Sequence, residues 1–586
     1  MCKPKCLKAV FRSPVFYIAL VFLWSFSLFL LSGASIRNVS LTRDGNAEKT
    51  ALPFLIKLND NELFTVDFDV VHSGIKSYGM KIVPDDCVDE IFVNDVSLPL
   101  KSVNGRCDYT KGFCLNEDIL KSVVHDGVNH FQFKMHNGGG PGGLNVQFTT
   151  TPSVLSLFEL ILAILTGSIL FLWLLGRCKV NLGLSFVLLA GVLLRILLFS
   201  NLLYSQYAYD VNGHLDYVKY VAENNALPQD TTCWSCYHPP LYYVTAAVAW
   251  DVGEAMEVSK PRAVQFYSML LSFAMLLIGF LVLRKVLAGF PLFWATLLWT
   301  LWPLCNLLST NIGNDQLFFV GHMLCLWASL CYLKERRGGY MVVAALACFV
   351  AVWSKSTGSV TMGVFALTLL LGYFPRQSLK PTKSEVVSCV LFLLLIASIV
   401  VHRVFGDPSL VGNINTLHSG LKVGNAPGNF LYFDLKDFLM HPFTSSWSDE
   451  GGRQYFWNYA LKTSLFGEFT LSKNELGRNL ATIVGVSYLV MLGYGLRGFW
   501  KNRVNKACVI LLAQSVAFFA ALMVLRYKFP YSCSNDFRYI LPVLVTFIPF
   551  IVMGVSDKAL SVKTRAVGYV SVLAFVVCSV SLLLML

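Results

Sequence analysis

Charged side chains are scarce in this sequence. Asp, Glu, Lys and Arg make up 14% of its 586 residues, whereas 55% are hydrophobic and the mean hydropathy is +0.58. Soluble globular domains carry roughly 25% charged residues, so this composition excludes an ordinary soluble enzyme. Apolar runs of about 18–23 residues recur along the chain, each long enough to cross a hydrocarbon core as a helix. The sequence therefore predicts a polytopic α-helical membrane protein.

Acidic residues are nearly missing from the short segments that separate many of these runs. Lys and Arg dominate there, which is typical of cytoplasmic loops. The loop 201–261 is instead acidic, so we expect it on the outer face. An apolar stretch beginning at Pro239 is interpreted as a helix lying at the outer interface, because counting it as a span would invert every later segment. The excess of basic residues thus reports orientation and gives no case for nucleic acid binding.

About thirteen spans are predicted, near residues 14–33, 153–176, 181–200, 262–285, 290–308, 315–333, 340–354, 357–374, 384–403, 478–498, 505–525, 538–555 and 564–586. The first follows a basic N-terminus and is interpreted as a retained signal anchor, with a cleaved signal peptide as the alternative. The predicted domains are a membrane anchor (1–34), an extracytoplasmic β-sandwich (35–150) and a transmembrane core (151–586). The core carries two long outer loops, 201–261 and 405–476.

The predicted outer domain rests on alternating stretches such as FTVDFDV and HFQFKM and on the turn-rich HNGGGPGG. PDDCVDEIFVNDVSLP resembles the galactose-binding-like jelly roll of carbohydrate-active proteins. This resemblance implies a jelly-roll fold and sugar binding. A packing or positioning domain without a ligand is the alternative.

Cysteine spacing is compatible with an oxidising outer face. Cys107 and Cys114 in CDYTKGFC could close a short loop, and Cys233 and Cys236 form a C-x-x-C motif beside His238. A disulfide is the favoured interpretation of the second motif, and free thiols are an alternative. A zinc site at the second motif stays open as an alternative, although only three ligands are local. No cofactor is certain from the sequence, and a divalent metal is left open.

Five polar motifs follow one another on the predicted outer face: YDVNGH, HPPLYY, TNIGNDQ, WSKSTG and NDFRYILP. Their order and spacing resemble the GT-C superfamily of membrane glycosyltransferases, in its branch of protein mannosyltransferases and bacterial aminoarabinose transferases, over residues 153–555. The resemblance implies a GT-C fold, a polyprenyl- or dolichyl-phosphate sugar donor, and a catalytic Asp that matches Asp210. The anchor and the β domain depart from the simplest family architecture, which leaves the sugar and the acceptor open.

The same residues suit glycosyl transfer chemically. Asp210 is predicted to be the general base for an acceptor hydroxyl. The supporting residues are predicted to be His214, Asp216, His238 and Asp315. His214 lies four positions after Asp210 and can share its helix face. For Asp315, a metal or phosphate site and helix capping by Asn314 or Asp315 are alternatives.

Cations for the departing phosphate are predicted at Lys355 and Arg538, with Tyr539 beside them. Arg offers a bidentate fork for phosphate, whereas Lys355 has the alternative of extending its amine to the membrane surface. Sugar or acceptor recognition is predicted for Trp447, Asp449, Arg453 and Trp457 in the second outer loop. An aromatic-rich loop of this kind is equally typical of an interfacial anchor.

The sequence therefore predicts a glycosyltransferase that moves one sugar, with inversion, from a polyprenyl-phosphate donor to a hydroxyl of an extracytoplasmic glycan, lipid or protein. A lipid-linked sugar flippase or transporter is less favoured, because polar groups gather at one face and no repeat is evident. A non-catalytic glycan-binding scaffold is the third alternative. The expected location is the bacterial cytoplasmic membrane with the site facing outward. The lone sequon Asn38-Val-Ser is too weak to imply the endoplasmic reticulum.

Overall fold

The computed structural model describes residues 18–19, 21–23, 35–50, 52–72, 79–100, 105–109, 112–125, 127–139, 141–149, 154–255, 259–373, 381–405 and 419–586. The chain divides into two compact units, Met1–Leu182 and Gly183–Leu586. The predicted anchor and first span, near 14–33, lie almost wholly outside the described residues. That interpretation stays a prediction.

The first unit contains two antiparallel sheets. Its strands are β1 Ser35–Arg43, β2 Asn46–Lys49, β3 Phe54–Lys57, β4 Leu63–His72, β5 Gly79–Pro84, β6 Cys87–Val93, β7 Val96–Ser97, β8 Phe113–Leu115, β9 Gly127–His136 and β10 Pro141–Thr149. The sheet orders are β2-β1-β4-β9-β6-β7 and β3-β10-β5-β8. Phe68 of β4 stacks on Phe131 and Phe133 of β9 in the core shared by both sheets. The alternating stretches therefore form the predicted β-sandwich, with one face of each strand buried.

The cysteine pairing predicted within this domain is wrong. Cys107 forms a disulfide with Cys87 instead of Cys114. The backbone N–H of Val88 bonds to the carbonyl of Arg106 at 3.0 Å, which places Cys107 beside the start of β6. Cys114 lies on β8 opposite Lys81, in the other sheet, and its thiol is exposed. Strand pairing, rather than proximity along the chain, decides which thiols meet.

The remaining elements are mainly helices. They are α1 Val154–Arg177, α2 Leu182–Asn201, α3 Val211–Asn224, α4 Leu241–Ala255, α5 Lys260–Val286, α6 Gly289–Leu301, α7 Pro303–Leu307, α8 Asp315–Glu335, α9 Gly339–Ser354, α10 Ser359–Tyr373, α11 Lys383–Phe405, α12 Phe456–Phe466, α13 Glu475–Asn502, α14 Lys506–Lys528, α15 Val543–Val555 and α16 Val562–Leu583. Shorter helical turns lie at Glu117–Leu120, Gly428–Leu431 and Leu435–Met440.

Within the described residues, seven helices are long and apolar enough to cross a membrane, and two bent helix pairs raise this number to nine. A polytopic helical membrane protein is thereby confirmed. The other three predicted spans correspond to α1, α9 and α10, of which α9 and α10 lie in shorter apolar helical segments, at Gly339–Ser354 and Ser356–Gly372. The predicted span 290–308 is broken, with a bend of 51°. The break falls at Trp302, whose extended backbone (φ −62°, ψ 125°) is what a following proline, Pro303, favours.

Arg262 at the start of α5 fixes the path of the first outer loop. Its guanidinium donates to the carbonyls of Phe199 at 2.5 Å and of Leu202 at 2.9 Å, both at the end of α2. Residues 203–259 therefore leave and return at the same end of the helices. The segment therefore makes no net crossing of the membrane. Helix α4, with 15 residues, is also shorter than the roughly 20 residues that a spanning helix needs. This geometry agrees with an interfacial position for α4.

Basic loops gather at the opposite helix ends. Lys285, at the end of α5, pairs with Glu335 at the end of α8 at 2.8 Å. Arg497 and Lys501, near the end of α13, both pair with Asp557, which follows α15, at 2.6 Å and 2.7 Å. The acidic loop and the basic turns thus lie at opposite ends of the helices.

We expect a membrane-impermeant thiol reagent to label a cysteine introduced at Pro228 in intact cells and to spare one introduced at Arg336. The exposed thiols Cys114 and Cys178 would first be replaced by serine, and permeabilised cells would show that both introduced thiols can react. Labelling at both positions in intact cells would contradict the predicted orientation.

Candidate functional site

Asp210 is the residue immediately before α3. Its backbone is left-handed (φ 49°), a conformation that Asp tolerates better than most residues. Its carbonyl accepts the first helical bond from His214 N at 3.1 Å, while its carboxylate does not cap the helix. The carboxylate instead accepts a bond of 3.1 Å from Arg538 Nη2. With 47% of its side chain exposed, Asp210 is open to a substrate.

Arg538 is buried and is held from three sides. Its guanidinium lies 3.9 Å from the ring centre of Tyr209, a favourable cation–π distance. Nη2 also donates to the Tyr539 hydroxyl at 3.2 Å, and Nε lies 3.5 Å from a carboxylate oxygen of Asp536. The other Asp536 oxygen accepts from the Arg538 backbone N–H at 2.8 Å. The fork is therefore fixed in place, and its Nε makes no hydrogen bond.

Lys355 supplies a second cation to the same place. It follows the last turn of α9 and forms a buried ion pair with Asp315 in the first turn of the antiparallel α8. Its amine lies 4.8 Å from the Tyr539 ring centre, and the Arg538 guanidinium is 5.0 Å from that ring. Tyr539 is thus in contact with both cations. Because Lys355 is buried in this ion pair, the alternative that it extends its amine to the membrane surface is wrong.

The capping alternative for Asn314 and Asp315 is also wrong. Asn314 occupies the N-cap position of α8, yet its side chain makes no cap bond and donates to the Ser354 carbonyl at 2.9 Å. This bond ties the start of α8 to the end of α9. Asp315 is stabilised by Lys355 and by the positive end of the helix dipole.

The two predicted histidines lie together beside Asp210. The His214 and His238 rings stack with centres 5.7 Å apart, and His214 Nδ1 bonds to the Tyr243 hydroxyl at 2.8 Å. Burial lowers the pKa of His214 to about 4 and that of His238 well below its ordinary value. Both imidazoles are therefore neutral at physiological pH and serve as hydrogen-bonding groups.

Asp210 itself is held as a carboxylate. Burial acts to raise its pKa, but the positive charges of Arg538 and Lys355 outweigh that effect and lower the pKa below 3.8. Asp210 is therefore ionised at neutral pH, as a general base requires.

Sequence reasoning missed two carboxylates of this cluster, Asp536 and Glu468. Glu468 accepts from the Tyr459 hydroxyl at 2.5 Å, and its backbone N–H donates to the Tyr209 hydroxyl at 3.0 Å. Burial raises the pKa of Glu468. A Cβ on Gly467 (φ 65°) would clash with the Tyr209 hydroxyl, so only glycine fits there. The available signal was a single carboxylate within each of the motifs SLFGEF and NDFRY.

Other predicted residues lie differently. Asp216 points to solvent on α3. Arg453 pairs with exposed Asp449 and donates to the carbonyls of Gly420 and Ser446, so it braces the loop. Trp457 packs against Phe519 of α14, with ring centres 6.0 Å apart. The Trp447 side chain is exposed.

Cys233 and Cys236 form a disulfide. Their sulfurs are not available as thiolate ligands in this state, so the zinc alternative at this motif does not fit. Among the described residues, no group of three or more His, Cys, Asp or Glu side chains is arranged to hold a metal ion.

No protein-family model and no curated protein sequence matches the chain. Solved structures that are similar to it include three glycosyltransferases. The Archaeoglobus fulgidus oligosaccharyltransferase has a TM-score of 0.40 and 14% identity, covering 68% of this chain and 55% of that one. Arabinosyltransferase EmbB from Mycobacterium smegmatis has a TM-score of 0.39 and 12% identity, covering 93% of this chain and 53% of that one. ArnT from Cupriavidus metallidurans, bound to undecaprenyl phosphate, has a TM-score of 0.30 and 13% identity, covering 63% of this chain and 77% of that one. The chain spans about half the length of the first two.

Proposed function

We propose that this chain is a GT-C-type membrane glycosyltransferase that moves a sugar from a polyprenyl-phosphate donor to an acceptor hydroxyl on the outer face. One observation carries the proposal. An exposed carboxylate, Asp210, is paired with a buried Arg538 in a cluster that also holds Lys355. A base beside two fixed cations is the combination that displacement of a phosphate by a hydroxyl requires.

The proposed reaction is a single displacement at the anomeric carbon of the donor sugar. The acceptor oxygen attacks the anomeric carbon while the bond from that carbon to the phosphate oxygen breaks. Asp210 takes the proton of the acceptor hydroxyl, and Arg538 and Lys355 stabilise the negative charge that grows on the departing polyprenyl phosphate. Asp536 and Asp315 hold the two cations in place. A single displacement with one base inverts the anomeric configuration.

The proposal is tested by incubating the purified full-length protein in detergent with a polyprenyl-phosphate sugar and acceptor extracts from cells that lack it. Mass spectrometry should find an acceptor heavier by one sugar and release of the polyprenyl phosphate. A transporter moves its substrate between two sides of a membrane and leaves it chemically unchanged. An unaltered donor and acceptor would therefore contradict the proposal.

The lowered pKa of Asp210 predicts the pH dependence of transfer. A carboxylate with a lowered pKa stays ionised at every pH above that pKa, so the base is lost only as the pH falls through it. We expect kcat/KM to show no loss from this group until the pH drops below the ordinary aspartate value of 3.8. Rate measurements, with circular dichroism to verify folding at each pH, would check this. An acid limb near neutrality that vanishes in Asp210→Asn would contradict it.

A further inference from the structure

A cavity of about 630 Å³ has His238, which stacks on His214, in its wall. It is connected in this way to the charge cluster, which consists of Asp210, Asp315, Lys355, Asp536 and Arg538. We call this cavity the side cavity. Its walls include Tyr217, Asp230, Tyr237, His238, Trp353 and His402. Small-molecule sites typically measure about 300–1,000 Å³, so the side cavity is large enough for an organic ligand.

The elements that form the side cavity also carry the cluster. Helix α3 begins directly after Asp210 and contributes Tyr217. His238, in the wall, stacks on His214, and His214 bonds to the Tyr243 hydroxyl. The Tyr243 ring in turn stacks on Tyr217, with their ring centres 3.8 Å apart. On the other side, Trp353 lies two residues before Lys355. A ligand in the side cavity is therefore positioned by the same helices that position the base and one cation.

The chemistry of the walls discriminates between ligands. Among the described residues that line the side cavity there is no Lys or Arg, and the one carboxylate is Asp230. Such a lining disfavours a phosphate, which the cluster attracts instead. A prenyl chain is disfavoured as well, because it would cover the polar groups of Gln229, Asp230 and His402 and cost their hydration. Flat rings combined with hydrogen-bonding side chains suit a neutral saccharide, whose rings present apolar faces and hydroxyl edges.

We propose that the side cavity binds the acceptor as a neutral saccharide and directs one of its hydroxyls to Asp210. This proposal rests on the proposed function and adds the chemical class of the acceptor. It places acceptor recognition on residues for which the sequence predicted no such role, whereas Arg453 and Trp457 are engaged in loop bracing and helix packing.

The test measures binding without turnover, so it does not depend on catalysis. The purified full-length protein in detergent would be screened by native mass spectrometry against a library of neutral di- to hexasaccharides, with undecaprenyl phosphate as a second probe. Asp230→Ala and Trp353→Leu would be compared with wild type, and Glu223→Ala, an exposed carboxylate on α3 outside the side cavity, is the matched control. Asp230→Asn and melting temperatures guard against misfolding.

We expect at least one saccharide to bind and both cavity variants to weaken it about tenfold or more, the loss of one charged hydrogen bond or one stacking ring. Glu223→Ala should bind it like wild type, and undecaprenyl phosphate should bind all three variants equally. A library without a binder, or binding unaffected by correctly folded cavity variants, overturns the proposal. Failure of the proposed function would be seen separately. Undecaprenyl phosphate would then either not bind the wild-type protein or bind Arg538→Ala as tightly as wild type.

Discussion

Asp210→Asn is expected to lower the transfer rate by about 10²–10⁴-fold, the range observed when a general base is lost. Asn keeps the size of the side chain and removes its charge and basicity. The exposed carboxylate makes no helix cap, so the substitution removes no bond that α3 needs. The protein should therefore be expressed and inserted normally, and the measurement is single-turnover transfer with a purified polyprenyl-phosphate sugar.

Asp216→Asn is the matched control for this substitution. Asp216 lies on the same helix, is exposed, and is not part of the charge cluster, so its variant should retain wild-type transfer. Near wild-type transfer by Asp210→Asn would show that another carboxylate is the base, with Asp315 the next candidate. A loss that appears equally in both variants would instead point to a general effect on α3.

Lys355→Ala is expected to weaken binding of the polyprenyl-phosphate donor by roughly ten- to hundredfold. A hydrogen bond to a charged group contributes about 1.5–3 kcal/mol, and Arg538→Ala should act in the same direction. Each variant also leaves a buried carboxylate without its cation, which costs stability. Donor affinity must therefore be measured separately from the free energy of unfolding.

Lys462→Ala separates these two effects. Lys462 is another buried lysine, paired with Asp437 at 2.8 Å in the second outer loop. Its removal should lower the melting temperature about as much as Lys355→Ala does, since each breaks a buried Lys–Asp pair. It should leave donor affinity at the wild-type value. Equal donor affinity in Lys355→Ala, Arg538→Ala and wild type would show that the two cations only anchor helices.

Apolar periodicity and charge placement predicted most of the helical architecture. The runs were long enough to be recognised, and the Lys and Arg turns separated the two ends of the helices. What the sequence could not predict is where a run breaks, because the bend at Trp302 depends on one backbone angle before Pro303. The shorter helices α9 and α10 were likewise predicted as full spans, because hydropathy does not indicate that the chain turns around Lys355.

The charge cluster was partly predictable for a related reason. Asp210, Asp315, Lys355 and Arg538 all stand at the outer end of an apolar run, and ends on one face have a good chance of meeting. Asp536 was missed although its partner, Arg538, lies only two residues further along the chain. Glu468 was missed because its partners come from packing: it is positioned by Tyr209 and Tyr459. No local pattern encodes such contacts.

The pair of Asp210 with Arg538 joins residues 328 positions apart, which has a consequence for biosynthesis. At about 5–20 residues per second, a ribosome needs roughly 15–65 s to proceed from one to the other. The Asp315–Lys355 pair, 40 positions apart, can form long before. Throughout that interval the growing chain already displays its carboxylate but lacks the guanidinium beside it. Under the proposed function, we expect a nascent or prematurely terminated chain to be inert toward lipid-linked sugars, with activity beginning only when the C-terminal helices have been inserted and packed.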